Sequence, residues 1–314
     1  MRCRIRTPAI AGVLFLITLL TGCATPQVSA LRTNAPAALP PQIELATVPF
    51  FPQEEYQCGP AALATALVYG GVATSPAALV PQVYLPGREG SLQTEMLTAT
   101  RRHDRLAYRL APSLEDLLLE VAAGNPVIVL QNLSFAFAPV WHYAVVIGYD
   151  REREEIILRS GTTRRLVMTL STFERIWARA AHWAMVALPP RQLPETAIEA
   201  NYVAAAAALE RVSAAGARQA YAAALEKWPA NLAARIGAGN AAYALKDLAA
   251  AAISYHQATL DHPLAGDAWN NLAQVQFELG HRNEAMLAAQ RAVALGGPRI
   301  ADYRDTLKAI AASP

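Results

Sequence analysis

The run Pro189-Pro190-Arg191-Gln192-Leu193-Pro194 divides the chain into two stretches that follow different rules. Before it, helical runs give way to short apolar runs separated by polar turns. After it, alanine-rich helical patterning continues to the end. With 314 residues, 54% of them hydrophobic, the chain can bury sizeable cores and should form about two domains. The break assigns them to residues 47–190 and 195–314.

Two segments of other kinds come first. Residues 1–22 carry Arg2, Arg4 and Arg6, an apolar run over 9–20, and then Thr21-Gly22-Cys23. That pattern is a secretory signal too short to span a membrane comfortably. Cys23 resembles the cysteine of a bacterial lipobox, which implies cleavage before it and a diacylglyceryl group on its sulfur. Ala24 in place of Asp implies, by resemblance to Gram-negative lipoproteins, the outer membrane with the protein facing the periplasm. Residues 23–46, with Pro26, Pro36, Pro40 and Pro41, read as a tether.

Signal cleavage removes Cys3 and acylation consumes Cys23, so Cys58 remains as the mature chain's one thiol and an internal disulfide is excluded. An unpaired thiol in an exported protein is open to oxidation, so its presence asks for a use. Lys+Arg is 27 and Asp+Glu is 25; loss of the three N-terminal arginines leaves 24 against 25. Such a balance gives no basic field for nucleic acid.

In the first stretch, Gly59-Pro60 followed by Ala61-Ala62-Leu63-Ala64-Thr65-Ala66-Leu67-Val68 predicts a helix with proline in its first turn, ended by Gly70-Gly71. Cys58 then lies just before the helix, where the partial positive charge of the N-terminus should lower the thiol pKa. A further helix is expected over 92–102, a strand over 106–110, and a helix capped by Ser113 with Asp116 three residues on and stopped by Gly124. From Pro126 the pattern turns to strands: 127–130, 142–149, 155–159, 164–170 and 183–188, with charged or polar turns between antiparallel neighbours. Helices followed by an antiparallel sheet make an α+β domain.

His142 opens the most hydrophobic of these strands, just after Trp141. Imidazole seldom starts a buried strand for packing reasons, and a thiol nucleophile needs a base that a separate strand can bring to it. His103 and His182 have less telling surroundings.

Three runs carry a resemblance to a known family. Val48-Pro49-Phe50-Phe51-Pro52-Gln53, then Gln57-Cys58-Gly59-Pro60-Ala61-Ala62-Leu63, then Trp141-His142-Tyr143-Ala144-Val145-Val146-Ile147-Gly148-Tyr149 resemble the papain-fold peptidases of the bacteriocin-processing, double-glycine-leader type. The resemblance implies a papain-like fold, Cys58 as nucleophile and His142 as base. It also implies an oxyanion-donating glutamine upstream of the cysteine, which Gln53 matches best, with Gln57 the other candidate. These peptidases orient the histidine with an Asp in an Asp-Pro turn, where this chain reads Leu158-Arg159-Ser160-Gly161. Ser160, Asn132 on the neighbouring strand, or a backbone carbonyl could take that role, which sets tautomer and alignment.

Other chemistries find no motif: there is no Gly-x-Ser-x-Gly, phosphate loop, Cys-x-x-Cys or His-Glu-x-x-His, and no cofactor or metal is expected. His256 and His262 make a poor metal pair. The cluster Arg101-Arg102-His103-Asp104-Arg105 reads as a solvated helix end.

The second stretch repeats. Pro229 and Pro263 are 34 residues apart, as are Ala217, Ala251 and Ala285, Tyr221 and Tyr255, and Ala224, Ala258 and Ala292. This spacing resembles tetratricopeptide repeats over 198–292, with Trp269, Leu272 and Gly280 matching best and residues 298–311 as a capping helix. Stacked helix pairs leave a concave groove for a peptide or protein partner. The expectation is a lipid-anchored cysteine peptidase whose repeats recruit a partner and can be deleted without loss of small-peptide turnover. The alternatives are a degenerate papain-like domain that only binds peptides, and a papain-type amidase or acyl transferase.

Overall fold

The computed structural model describes residues 25–53 and 57–312; the signal segment and Cys23 lie outside the described residues. The first part contains α1 (Pro26–Thr33), β1 (Gln42–Glu44), α2 (Cys58–Tyr69), α3 (Pro76–Val83), α4 (Gln93–Arg102), β2 (Leu106–Arg109), α5 (Leu114–Ala122), β3 (Val127–Asn132), β4 (Trp141–Asp150), β5 (Glu155–Ser160), β6 (Thr163–Thr169), α6 (Leu170–Ala178) and β7 (Ala184–Leu188). The strands form one antiparallel sheet in the order β2-β7-β3-β4-β5-β6, with β1 added along β4.

Central strands buried on both faces need apolar residues throughout, and Val127-Ile128-Val129-Leu130 supplies them. Val127 and Val129 face a core built with α1, α5 and α6, while Ile128 and Leu130 face a second core built with α2, α3 and α4. The sheet is therefore the middle of three layers. Helix α2 is the most deeply set element, with every residue from Gly59 to Leu67 buried. An almost uncharged Ala/Leu helix is stable only in such a place.

Several local expectations are met: Ser113 caps α5 by accepting from the Asp116 N–H, and Gly124 follows with a φ of +90°. Besides α1, two helices were not anticipated. Helix α3 holds Pro76 in its first turn and Pro81 inside it, and α6 starts where a strand was expected to end, capped by Thr169.

The tether reading needs correction from Pro26 onward. Val28 and Leu31 of α1 are buried against the domain, worth about 3–6 kcal/mol together by area. The Glu174 carboxylate accepts from the Gln27 and Val28 N–H groups at 3.0 and 2.8 Å, satisfying donors that a helix N-terminus leaves open. β1 pairs with β4 in the register Ile43↔Tyr149. The segment is part of the fold because its apolar residues find a groove that its prolines do not obstruct.

After the proline break come α7 (Glu199–Glu210), α8 (Ala214–Lys227), α9 (Leu232–Ala244), α10 (Leu248–Asp261), α11 (Gly266–Glu278), α12 (Arg282–Leu295) and α13 (Ile300–Ala312), each packed mainly on its sequence neighbours. The helices starting at Ala214, Leu248 and Arg282 recur at the 34-residue step. The alanines at 217, 251, 285, 224, 258 and 292 are all fully buried at helix crossings. In α9, a Cβ on Gly237 would lie 2.2 Å from the Tyr221 ring and one on Gly239 would lie 2.4 Å from the Tyr255 ring. Glycine at both positions lets two tyrosines close on one helix.

The two stretches share a core. Tyr202, Val203, Leu209, Ala217 and Tyr221 belong to the same apolar cluster as Val129, Tyr108 and Leu117. Glu120 is fully buried, and its carboxylate accepts from Asn125 Nδ2 and from both the N–H and hydroxyl of Thr196. Tyr108 OH accepts from the Ile198 N–H at 3.1 Å. The expectation that deletion beyond Pro190 leaves small-peptide turnover intact thus meets a structural cost, because removal strips an apolar face and leaves Glu120 short of two donors. Truncation after Pro190 should cost on the order of 3 kcal/mol or more. Thermal unfolding of the truncated and full chains checks this; equal midpoints would refute it.

Candidate active site

Cys58 is the first residue of α2, with Gln57 at the N-cap, so its sulfur leaves the helix at the end nearest β4. His142 is the second residue of β4, one position later than the strand start at Trp141. Gln53 sits on the loop before α2, which is tied to the β5–β6 turn by a bond from the Gln53 N–H to Gly161 O at 3.2 Å. These three side chains line one open cavity of about 730 Å³, together with the segment 88–93, residues 139–143 and Arg179.

Gly59 is what allows the 88–93 segment to close over the helix start. A Cβ there would meet Ser91 Oγ at 2.3 Å and Ser91 Cβ at 2.6 Å. Of the two candidate glutamines, Gln53 shares the cavity with Cys58 and His142. Gln57 borders a neighbouring cavity with Ala61, Ser75 and Pro76. The Gln53 side chain donates to Tyr143 O at 3.4 Å, a long bond that leaves the amide free to turn toward a better acceptor.

His142 Nε2 lies 2.9 Å from Ser160 Oγ. With the Nε2 proton donated to that hydroxyl, Nδ1 carries the ring's lone pair. Asn132 does not reach the ring: its Oδ1 accepts from the Ser134 and Val140 N–H groups, both at 3.0 Å, and its Nδ2 donates to Phe135 O. Its candidacy is corrected on that ground, because the side chain is committed to bracing the β3–β4 connection. His182 stands edge-on to Trp177 and His103 contacts Gln82; neither lines the cavity.

The expected lowering of the thiol pKa is not what the surroundings produce. Burial among the apolar residues of the α2 layer pushes Cys58 above its ordinary range. The backbone N–H groups of Tyr143, Gly59 and Cys58 pull it down without offsetting that. Burial holds His142 below the ordinary imidazole range. Both shifts favour the neutral forms, so the resting pair is thiol and imidazole.

Two features escaped the sequence reading. Arg159 is 5% exposed, and its guanidinium donates to Val48 O at 3.1 and 2.9 Å, to Ala46 O at 3.3 Å and to Arg164 O. It thereby ties β5 to the segment leading to Gln53. A lone cation in an apolar strand was the available signal. The other is the β3–β4 connection, where Arg179 donates to Ser134 O at 2.8 Å and to Asn132 O at 3.3 Å. Its apolar Phe135-Ala136-Phe137 tip, at a place where a polar turn is usual, was the clue.

A thiol on a helix start and an imidazole on a strand of the antiparallel sheet thus face one cavity. Residues 45–185 match the family described as Peptidase_C39-like. A solved structure described as a C39-like peptidase from Bacillus anthracis is similar at 21% identity, over 47% of this chain and 97% of that one, with a TM-score of 0.39. No curated protein matches the chain.

The neutral resting pair has a measurable consequence. Alkylation of Cys58 by iodoacetamide should climb with pH through one transition above the ordinary thiol value of about 8.5. A rate already at its plateau near pH 6 would instead show a preformed thiolate–imidazolium pair.

Proposed function

We propose that this chain is a cysteine peptidase that cleaves peptide bonds by a Cys–His mechanism. The observation that carries the reading is the convergence of Cys58, His142 and Gln53 on one cavity, with the Ser160 hydroxyl against the far nitrogen of the imidazole. Because the pair rests neutral, the proton moves from Cys58 Sγ to His142 Nδ1 as sulfur attacks the carbonyl carbon, not before. The oxyanion takes hydrogen bonds from the Cys58 N–H and from Gln53 Nε2, which leaves its long bond to Tyr143 O. His142 returns the proton to the leaving amine, and water then hydrolyses the thioester with His142 again as base. Ser160 holds the ring orientation throughout.

In the same proposal Cys23 carries a lipid and anchors the protein at the outer membrane, facing the periplasm. The helical part is a tetratricopeptide array that engages a protein partner while braced on the peptidase domain. Incorporation of an alkynyl fatty acid that disappears in Cys23→Ser would support the anchor; equal labelling of both would exclude it.

A second reading is a domain that grips peptides without cutting them. The upward shift of the thiol, the downward shift of the imidazole, and the lack of a carboxylate bonded to His142 among the described residues favour it. An amidase or acyl transferase would share the thiol chemistry and differ in acceptor. A thiol-reactive peptide probe separates these possibilities. Cys58→Ala should abolish labelling, His142→Ala should slow it about 100-fold, and Ser160→Ala about tenfold. Labelling no faster than that of free cysteine, and indifferent to His142→Ala, would sink the enzymatic reading. With rapid labelling, a peptide-library digest tells hydrolysis of peptides from transfer.

A further inference from the structure

The β3–β4 connection and the first residue of β4 carry five of the twelve exposed large apolar side chains among the described residues: Leu133, Phe135, Phe137, Val140 and Trp141. Phe135 and Phe137 are 65% and 86% exposed, and their rings stack on each other at 5.3 Å instead of turning inward. Exposed apolar residues scattered singly are ordinary, whereas a contiguous patch marks a binding surface.

This patch is held rigidly. Asn132 Oδ1 takes the Ser134 and Val140 N–H groups, Leu133 N–H donates to Val140 O, and Arg179 bonds two carbonyls of the same connection. Five polar contacts therefore brace the segment while its apolar side chains stay in solvent. The patch is also continuous with the catalytic cavity, since Val140 and Trp141 line that cavity beside His142. The cavity lining also includes the charged side chains Arg88, Glu89 and Arg179, so Val140 and Trp141 are where an apolar group of a bound chain meets apolar surface.

Resting on the peptidase reading above, we propose that this hairpin docks the apolar part of the polypeptide substrate. The preferred substrates then carry bulky apolar side chains close to the scissile bond. Phe137 is five positions from His142, and at roughly 3.3 Å per extended residue the patch reaches no more than about five substrate residues from the reacting carbonyl. Leu133, Phe135, Phe137 and Trp141 are thus specificity-determining residues.

Binding can be read without turnover in the full-length chain carrying Cys58→Ala. Two fluorescein-labelled decapeptides share one sequence, except that positions flanking the centre are Leu and Phe in the first and Ser and Gln in the second. Fluorescence polarisation should show the apolar peptide binding about tenfold tighter or better. The added double substitution Phe135→Ser/Phe137→Ser should bring the two affinities to within about threefold, and these exposed positions leave the core untouched. Equal affinities in the parent, or a preference that survives the double substitution, would overturn the proposal. So would an unchanged peptide preference accompanied by loss of binding to phosphatidylethanolamine–phosphatidylglycerol vesicles, which would assign the patch to lipid. Loss of a dimer with no change in peptide preference would assign it to a second copy. Turnover by the unsubstituted protein is scored separately: no cleavage with the preference intact would sink the peptidase reading and leave the docking surface standing.

Discussion

The burial of α2 on every side sets both the geometry and the electrostatics of the cavity. Nine consecutive buried residues, from Gly59 to Leu67, lock this helix between the sheet and the helices α3 and α4. Its axis then decides where the Cys58 sulfur emerges, and the strand start that meets it is that of β4 with His142. The charge state has the same origin. A sulfur at the edge of an apolar layer loses more from desolvation than three N–H groups return, so depth, not the helix dipole, governs the thiol. A helix N-terminus lowers a thiol pKa only where water or counter-charge has not already been withdrawn.

The other face of the sheet explains why the chain is organised as one body despite its proline break. Its core continues from α5 and β2 into α7 and α8, with Glu120 bonded across the boundary to Thr196. The helical array is therefore a fixed extension of the sheet-bearing domain. Whatever binds along it is held at a set orientation to the cavity on the opposite side of the sheet, which a flexible linker could not arrange.

How legible this was in the sequence depended on whether the local pattern and the tertiary environment agreed. Helix α2, the Ser113 cap, the strand runs and the 34-residue step were readable because each rests on composition within a few residues. Helix α3 was hidden by Pro81, and α1 by prolines that suggested a tether when Val28 and Leu31 were the decisive residues. At the cavity, Cys58 and His142 stood out by residue type and context and Gln53 by resemblance, and the fold brings the three to one place. Asn132 could not be dismissed, since only the fold reveals that its side chain spans its own hairpin. Arg159 is the converse case: in sequence it marks a missing carboxylate, while in the fold its guanidinium is satisfied by main-chain oxygens of three residues.

That replacement bears on how the proposed reaction distributes its charge. Among the described residues, burial is the influence that lowers the His142 pKa, and no ionised group contributes. An imidazolium formed during attack then finds one neutral hydroxyl on its far nitrogen, and its countercharge must come from the sulfur and oxyanion side. The stabilisation that a carboxylate would give at the histidine therefore falls to the donors around the carbonyl oxygen, namely the Cys58 N–H at the start of α2 and the Gln53 amide. Arg159 acts on that same side, since it ties β5 to the segment that carries Gln53 into the cavity.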